Sequence, residues 1–219
     1  RYLVENQKLF RVSRVEEHSI DNDLERIIIE EIEKQATKAD GIVISDFVYG
    51  VITEKILKRI YEIAKENNLF IFGDVQCSSQ VGLITRFKNC TLLCPNEKEA
   101  RIAMQDKDSG LEKLSKELMD VTQVESLIMK LGSKGFIAYQ GMDEKTRKSQ
   151  SFPALSINPI DVSGAGDSLL AVMAIGMSNK QDFFTTAALA SCVSCLAVEN
   201  LGNKPISRDS LIDFIQNIL

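Results

Sequence analysis

Histidine is nearly absent: His18 is the one imidazole in 219 residues. Any Ser-His-Asp or Cys-His mechanism would have to run through it. It stands among charged residues, where a solvated surface role is the ordinary one. Basic charge is not in excess either. Lys and Arg total 26 against 31 Asp and Glu, for a net charge of −5 and a pI near 5.1. That balance leaves no electrostatic footprint for nucleic acid. Long apolar runs are missing too. The longest weakly polar stretch, 185–198, falls short of the roughly 20 residues that a membrane-spanning helix needs. It also carries Ser, Thr and Cys and reads as a buried helix, so no membrane contact is expected. Cysteine is sparse and odd in number: Cys77, Cys90, Cys94, Cys192 and Cys195. With no signal-peptide pattern, that count leads us to expect reduced thiols in a cytoplasmic protein. Cys90 and Cys94 with Cys192 and Cys195 would be the material of a four-thiolate zinc site. Knuckle-type turns are lacking, however, and the second pair sits in an apolar helical pattern, where cysteine acts as a small buried residue.

What is present is 44% hydrophobic and 26% charged, ordinary for a globular domain. Apolar runs alternate with amphipathic stretches. Strands are expected over 8–15, 41–45, 69–72, 91–94, 126–129, 136–139 and 152–157. Helices are expected between and after them. One is capped by Ser19, with Leu24, Ile27, Ile28, Ile32 and Ala36 on its buried face. The next is capped by Thr53, with Ile56, Leu57, Ile60, Ile63 and Ala64 inward. Others cover about 97–104, 110–121, 164–177, 183–199 and 207–219. Gly132-Ser133-Lys134-Gly135 reads as a hairpin turn. Strands alternating with helices imply an α/β fold with a mostly parallel sheet and an antiparallel edge hairpin. No repeat, low-complexity run or linker divides the chain, so one domain is expected. Ligands in such sheets bind beyond the carboxyl ends of the strands, and Asp46, Asp74, Asn96 and Gly132 all follow predicted strands.

The stretch that organises the rest is Asp161-Val162-Ser163-Gly164-Ala165-Gly166-Asp167, directly before an apolar helix. A glycine-rich turn opening a helix leaves the first-turn N–H groups without partners, at the positive end of the helix dipole. Such a place suits phosphate. A carboxylate there would repel the anion unless it acts on a neighbouring hydroxyl. Phosphoryl transfer joins the two requirements, with backbone donors for developing charge and a base for the proton. The plainer reading is a helix N-terminus with a carboxylate on its dipole.

Asp161-x-x-Gly164-Ala165-Gly166-Asp167 resembles the signature of the PfkB (ribokinase-like) carbohydrate kinases. Pro95-Asn96-Glu97-Lys98-Glu99-Ala100 resembles that family's Asn-x-x-Glu element, and Lys130-Leu131-Gly132-Ser133-Lys134-Gly135 its nucleotide strand and turn. The three come in the family's order at roughly its spacing. Stretches 6–12 and 45–53 look most like the heptose-7-phosphate kinase half of bifunctional heptose kinase/ADP-heptose synthases. The resemblance implies a ribokinase-like three-layer α/β/α fold. It implies one PfkB-type kinase domain over 1–219, lacking the family's N-terminal strands and most of its sugar-binding lid. It further implies ATP as co-substrate, Mg2+, a sugar or sugar phosphate as acceptor, and a homodimer through the lid.

The same resemblance assigns roles. Asp167 is the candidate general base, and Gly164, Ala165 and Gly166 the anion hole. Asn96 and Glu99 organise Mg2+ through water; the same spacing is also that of a capping box, and both readings stand. Lys130, Gly132, Ser133 and Gly135, with Asn96, border the nucleotide. Lys130 replaces the family's usual Thr or Ser and either contacts phosphate or is solvated. The two glycines also suit a plain hairpin turn. Ala188, Ser191 and Cys195 share a helix face placed beside adenine, or simply packed. The pattern departs at Tyr49 and Gln76, near positions where many heptose kinases carry lysine, which points to a different or unphosphorylated sugar. Ribose, fructose or nucleoside specificity, and a non-catalytic sugar- or nucleotide-binding relative, are the alternatives.

Overall fold

The computed structural model describes residues 2–4, 7–10, 12, 14, 16, 18–76, 83–143, 145–202 and 204–218, with backbone alone over 2–4 and 7–9. Eight strands and seven α-helices are found among them, in the order β1 (Tyr2–Val4), β2 (Gln7–Phe10), α1 (Asn22–Ala36), β3 (Gly41–Asp46), α2 (Glu54–Asn67), β4 (Phe70–Val75), β5 (Leu92–Leu93), α3 (Glu97–Met104), α4 (Leu111–Thr122), β6 (Ser126–Lys130), β7 (Phe136–Gln140), β8 (Lys148–Phe152), α5 (Ala165–Ser178), α6 (Phe183–Val198) and α7 (Arg208–Ile218). β1 and β2 form an antiparallel pair of their own. The main sheet has the order β3-β4-β5-β6-β7-β8. Its first four strands run parallel, and β7 and β8 are antiparallel.

Side chains alternate across a strand, and here both faces are apolar. Ile71, Leu93, Leu127 and Met129 face a core shared with Ile56, Leu57 and Ile60 of α2 and Leu114 and Leu118 of α4. Phe72, Leu92, Ile128 and Ala138 face the opposite core, made with Leu169, Leu170 and Met173 of α5 and Ala187 and Ala190 of α6. Helices on both faces give the three-layer α/β/α architecture that the resemblance implied.

Several elements differ from the sequence expectation. The strand expected over 8–15 ends at Phe10; Val12 is exposed, and residues 11, 13 and 15 lie outside the described residues, as does Cys77. Asp21, not Ser19, caps α1, its carboxylate accepting from the Leu24 N–H at 2.8 Å. The α1 face is turned accordingly. Leu24 and Ile27 are exposed, whereas Glu25 is buried, accepting from Thr53 Oγ1 and from Lys55 Nζ. Thr53 in turn caps α2, so one buried carboxylate ties the two helices together. The strand expected over 152–157 lies earlier, at Lys148–Phe152, because Pro153 has no N–H to continue the ladder. The face expected for α2 is buried throughout, and the 132–135 turn joins antiparallel β6 and β7 as anticipated.

That turn is sterically demanding at one residue. Gly135 has φ +87°, and a Cβ on it would stand 2.0 Å from the Phe152 carbonyl oxygen. Gly135→Ala should therefore destabilise the protein by about 2–4 kcal/mol, combining a left-handed backbone with a clash against a neighbouring strand. Urea denaturation checks this; a loss below about 0.5 kcal/mol, ordinary for a surface change, would contradict the geometry.

Candidate active site

The carboxyl ends of β4, β5 and β6 and the amino end of α5 meet at one edge of the sheet. Asp161 shapes the turn into α5. It is buried, and its Oδ1 accepts from Ser163 N–H at 3.0 Å while Oδ2 accepts from Gly202 N–H at 3.1 Å. Gly164 then takes φ +83°, and the first intrahelical bond runs from Ser168 N–H to its carbonyl at 2.9 Å. No side chain caps the helix, so the N–H groups of Ala165, Gly166 and Asp167 are left for other acceptors.

Asp167 stands in that first turn, its Oδ1 accepting from Gln76 Nε2 at 2.7 Å. Gln76 follows β4 and so fixes the carboxylate from across the edge. Asp74, in β4, is 1% exposed and accepts from Lys130 Nζ at 2.9 Å, while its Oδ2 is buried without a hydrogen-bond partner. Burial raises the Asp74 carboxyl above the usual range; Lys130 pulls it back and the nearby Asp167 charge pushes it up. Burial works most strongly against the Lys130 ammonium, but the Asp74 charge and hydrogen bond together with Cys94 and Glu99 outweigh it, and Lys130 holds its proton more firmly than an ordinary lysine. Between the two strands, the Cys94 thiol is pushed up by burial and by Asp74.

Asn96 follows β5 and caps α3. Its Oδ1 accepts from Glu99 N–H at 2.9 Å, and Glu99 Oε2 accepts from Asn96 N–H at 2.8 Å, a complete capping box. Asn96 is also bridged to Lys130, whose N–H donates to the Pro95 carbonyl at 2.9 Å.

A cleft of about 600 Å³ opens here. Of the residues singled out from sequence, Asn96, Lys130, Gly132, Ser133, Gly135, Ala165, Gly166, Ser191 and Cys195 line it. Gly164, Asp167 and Glu99 do not line it; the first two belong to the turn at its end, and Glu99 lies behind Asn96. Ala188 is exposed and outside the cleft. Asp46, grouped with this edge from its position after β3, is engaged elsewhere: it accepts from Arg86 at 3.0 Å and from Val48 N–H at 2.8 Å. The apolar wall was not foreseen. It comprises Leu155, Ile157, Pro159, Val162 and Val198, with Phe136 stacked on Phe152 at 5.1 Å. Ser194 was also missed, although its spacing from Ser191 puts it on the same helix face. Ser156 Oγ, in the same wall, is buried without a partner. The Cys195 thiol is pushed up to about 12 by burial and by Glu199. Cys90, Cys94, Cys192 and Cys195 are free and buried, and among the described residues no cluster of three His, Cys, Asp or Glu gathers to hold a metal.

Helices on both faces of a mostly parallel sheet with an antiparallel edge make a ribokinase-like three-layer fold. Phosphofructokinase-2 from Escherichia coli shares it, with a TM-score of 0.72 at 15% identity over 91% of this chain and 63% of that chain. Arabidopsis thaliana ribokinase complexed with ribose and ATP shares it with a TM-score of 0.69 at 20% identity, over 92% of this chain and 61% of that one. The chain belongs to the pfkB family of carbohydrate kinases, whose family model matches residues 7–208. Similar curated relatives include the bifunctional protein HldE of Campylobacter jejuni, 29% identical over 98% of this chain and 44% of that protein. That of Trichlorobacter lovleyi is 26% identical over 97% and 42%. The resemblance to this family, and within it to bifunctional proteins, is borne out; the chain spans less than half the length of these relatives. Among the described residues no helix is long and apolar enough to cross a membrane.

Asp161→Ala leaves two backbone N–H groups short of an acceptor and should cost about 2–4 kcal/mol. Hydrogen exchange at Ser163 and Gly202 should rise with it; unchanged protection at both amides would mean that the turn is held by other contacts.

Proposed function

We propose that the protein transfers the γ-phosphoryl group of ATP to a hydroxyl of a sugar or sugar phosphate, with Mg2+. The observation that carries this reading is the junction of the cleft with the amino end of α5. A pocket sized for a nucleotide ends against free backbone donors, and Asp167 stands one residue further on. Asn96, Lys130, Gly132, Ser133, Gly135 and Ser191 take the nucleotide along the cleft. The base lies against the apolar wall, and the orphaned Ser156 Oγ supplies a polar contact there. The N–H groups of the Gly164-Ala165-Gly166 turn hold the charge of the transferring group. Asp167 accepts the proton of the attacking hydroxyl, its free oxygen aimed by the Gln76 bond to the other. The oxygen of that hydroxyl bonds to the γ-phosphorus as the bond to the ADP oxygen breaks.

The donor set fits Mg2+. The oxygens of Asn96 and Glu99 are hard ligands, and a cation that keeps several waters and binds phosphate needs only one or two protein carboxylates. When bound, the ion would offset phosphate charge. The capping box sets where the Glu99 carboxylate lies relative to it. We read residues 1–219 as one kinase domain and the protein as cytoplasmic, with a homodimer as in the family resemblance. Gln76 favours a second reading of the acceptor. It stands near a position where many heptose kinases carry lysine and spends its amide on Asp167, which suits an unphosphorylated sugar such as ribose or fructose.

Asp167→Asn keeps the size and most hydrogen bonds of the turn but cannot take a proton. Turnover should fall about 10²- to 10⁴-fold, with the ATP dissociation constant unchanged or lower because a like charge is removed. Coupled ADP release against phosphorylated and free sugars, with calorimetry for ATP, measures both. Retention of more than about a tenth of turnover, less than the loss of a general base produces, would remove Asp167 from that role. Glu99→Gln retains an acceptor for Asn96, so folding should suffer by no more than about 1 kcal/mol. The Mg2+ concentration for half-maximal rate should rise; an unchanged Mg2+ response with a large stability loss would leave Glu99 a cap only.

A further inference from the structure

Lys130 departs from the family pattern, and its placement is unusual. β4 and β6 flank β5 and so lie about 9.5 Å apart. The Lys130 stem crosses that distance past Cys94 to reach Asp74, with Nζ to Oδ1 at 2.9 Å. The ammonium ends beneath α5: a Cβ on Gly166 would stand 3.4 Å from Lys130 Nζ and 3.9 Å from its Cδ. A full positive charge therefore lies against the same first turn whose N–H groups are free. Helix N-termini supply only about half an elementary charge. Without Lys130, the charges near a phosphate at this turn would be two carboxylates, Asp74 and Asp167, which already act on each other.

We propose that Lys130 is the cation that meets the transferring phosphoryl group, and that Asp74 is a positioning residue that holds its ammonium at the first turn of α5. This rests on the nucleotide reading of the cleft. Lysine suits the task because it is a compact charge on a flexible stem, able to turn from Asp74 to a phosphate oxygen without backbone movement. Asp74 suits it because its carboxylate receives the Lys130 ammonium through Oδ1 while its second oxygen is buried without a hydrogen-bond partner. The pair keeps the edge from presenting either a bare buried cation or uncompensated acid before nucleotide arrives.

Calorimetric titration of the intact protein with ATP, ADP and adenosine, each with Mg2+, separates the possibilities. Lys130→Met should weaken ATP binding about 10- to 100-fold, the range of one charge-assisted hydrogen bond, and leave adenosine binding unchanged. Lys130→Arg keeps the charge and should restore most of the ATP affinity. Asp74→Asn should bind ATP as tightly as the wild type or more so, since an acid is removed, yet turn over more slowly because the ammonium is no longer held. A structural role for Asp74 would instead weaken ATP and adenosine together. Should Lys130→Met fail to fold with Asp74 left unpaired, the double substitution Lys130→Met with Asp74→Asn removes both charges and takes the same comparison. Wild-type ATP affinity in Lys130→Met, or equal losses for ATP and adenosine, would overturn the proposal and leave the nucleotide reading intact. A wild-type protein that binds neither ATP nor adenosine would overturn both.

Discussion

Leu92 and Leu93 are adjacent, fully buried and turned to opposite helix layers. They are the whole of β5, and the register of β4 and β6 is set against them: Phe72 and Ser126 beside Leu92, Gly73 and Leu127 beside Leu93. A shift of one residue would turn every side chain of a neighbouring strand to the wrong core. Burial on both faces therefore fixes where each strand ends. That in turn brings Asp74, Asn96 and Lys130 to one edge. β5 ends at Leu93, and past it the Cys94 N–H still bonds the Gly73 carbonyl and the Lys130 N–H the Pro95 carbonyl, so the three strands stay aligned up to the edge.

The second constraint is electrostatic. An uncapped helix N-terminus attracts anions, yet the chain puts carboxylates at both Asp74 and Asp167 beside it. Each is answered differently. Asp74, buried, receives a full charge from Lys130; Asp167, at the mouth, receives only the neutral amide of Gln76. Asp74 is buried and committed to an ammonium, whereas Asp167 is held through one oxygen by an uncharged amide. The two acids on one edge are thus made unlike by their partners, which is how similar side chains come to hold different tasks.

Much of this was legible in the sequence because it is local. The face of α2, the 132–135 turn, the capping box at Asn96 and the glycine turn into α5 are each specified within about eight residues by spacing and residue type. What escaped was non-local or decided by competition. Ser19 and Asp21 both suit a cap, and Glu25 reads as a surface residue until Thr53 and Lys55, from another helix, claim it. Asp46 and Asp74 both follow strands expected from the sequence, and only the fold, where Asp46 ends β3 and Asp74 lies within β4, shows that Arg86 takes one and Lys130 the other. The apolar wall at 155–162 reads in part as the end of a strand over 152–157, whereas it is an irregular segment containing Pro159.

The capping box shows why a local reading and a remote one need not compete. Asn96 and Glu99 satisfy each other's backbone donors, which suffices to explain their spacing. That same reciprocity limits where the Glu99 carboxylate can go. A long acidic side chain on a helix surface would sample several rotamers and lose entropy on engaging an ion. Here the carboxylate is held beside Asn96, the cap residue that bridges to Lys130. The cap fixes the acid behind Asn96, outside the cleft lining, where its charge still acts on the Lys130 ammonium. Local helix chemistry is thereby the means by which the edge of the sheet acquires a defined field. A substitution that preserved the helix but freed the carboxylate would lose that definition without losing the fold.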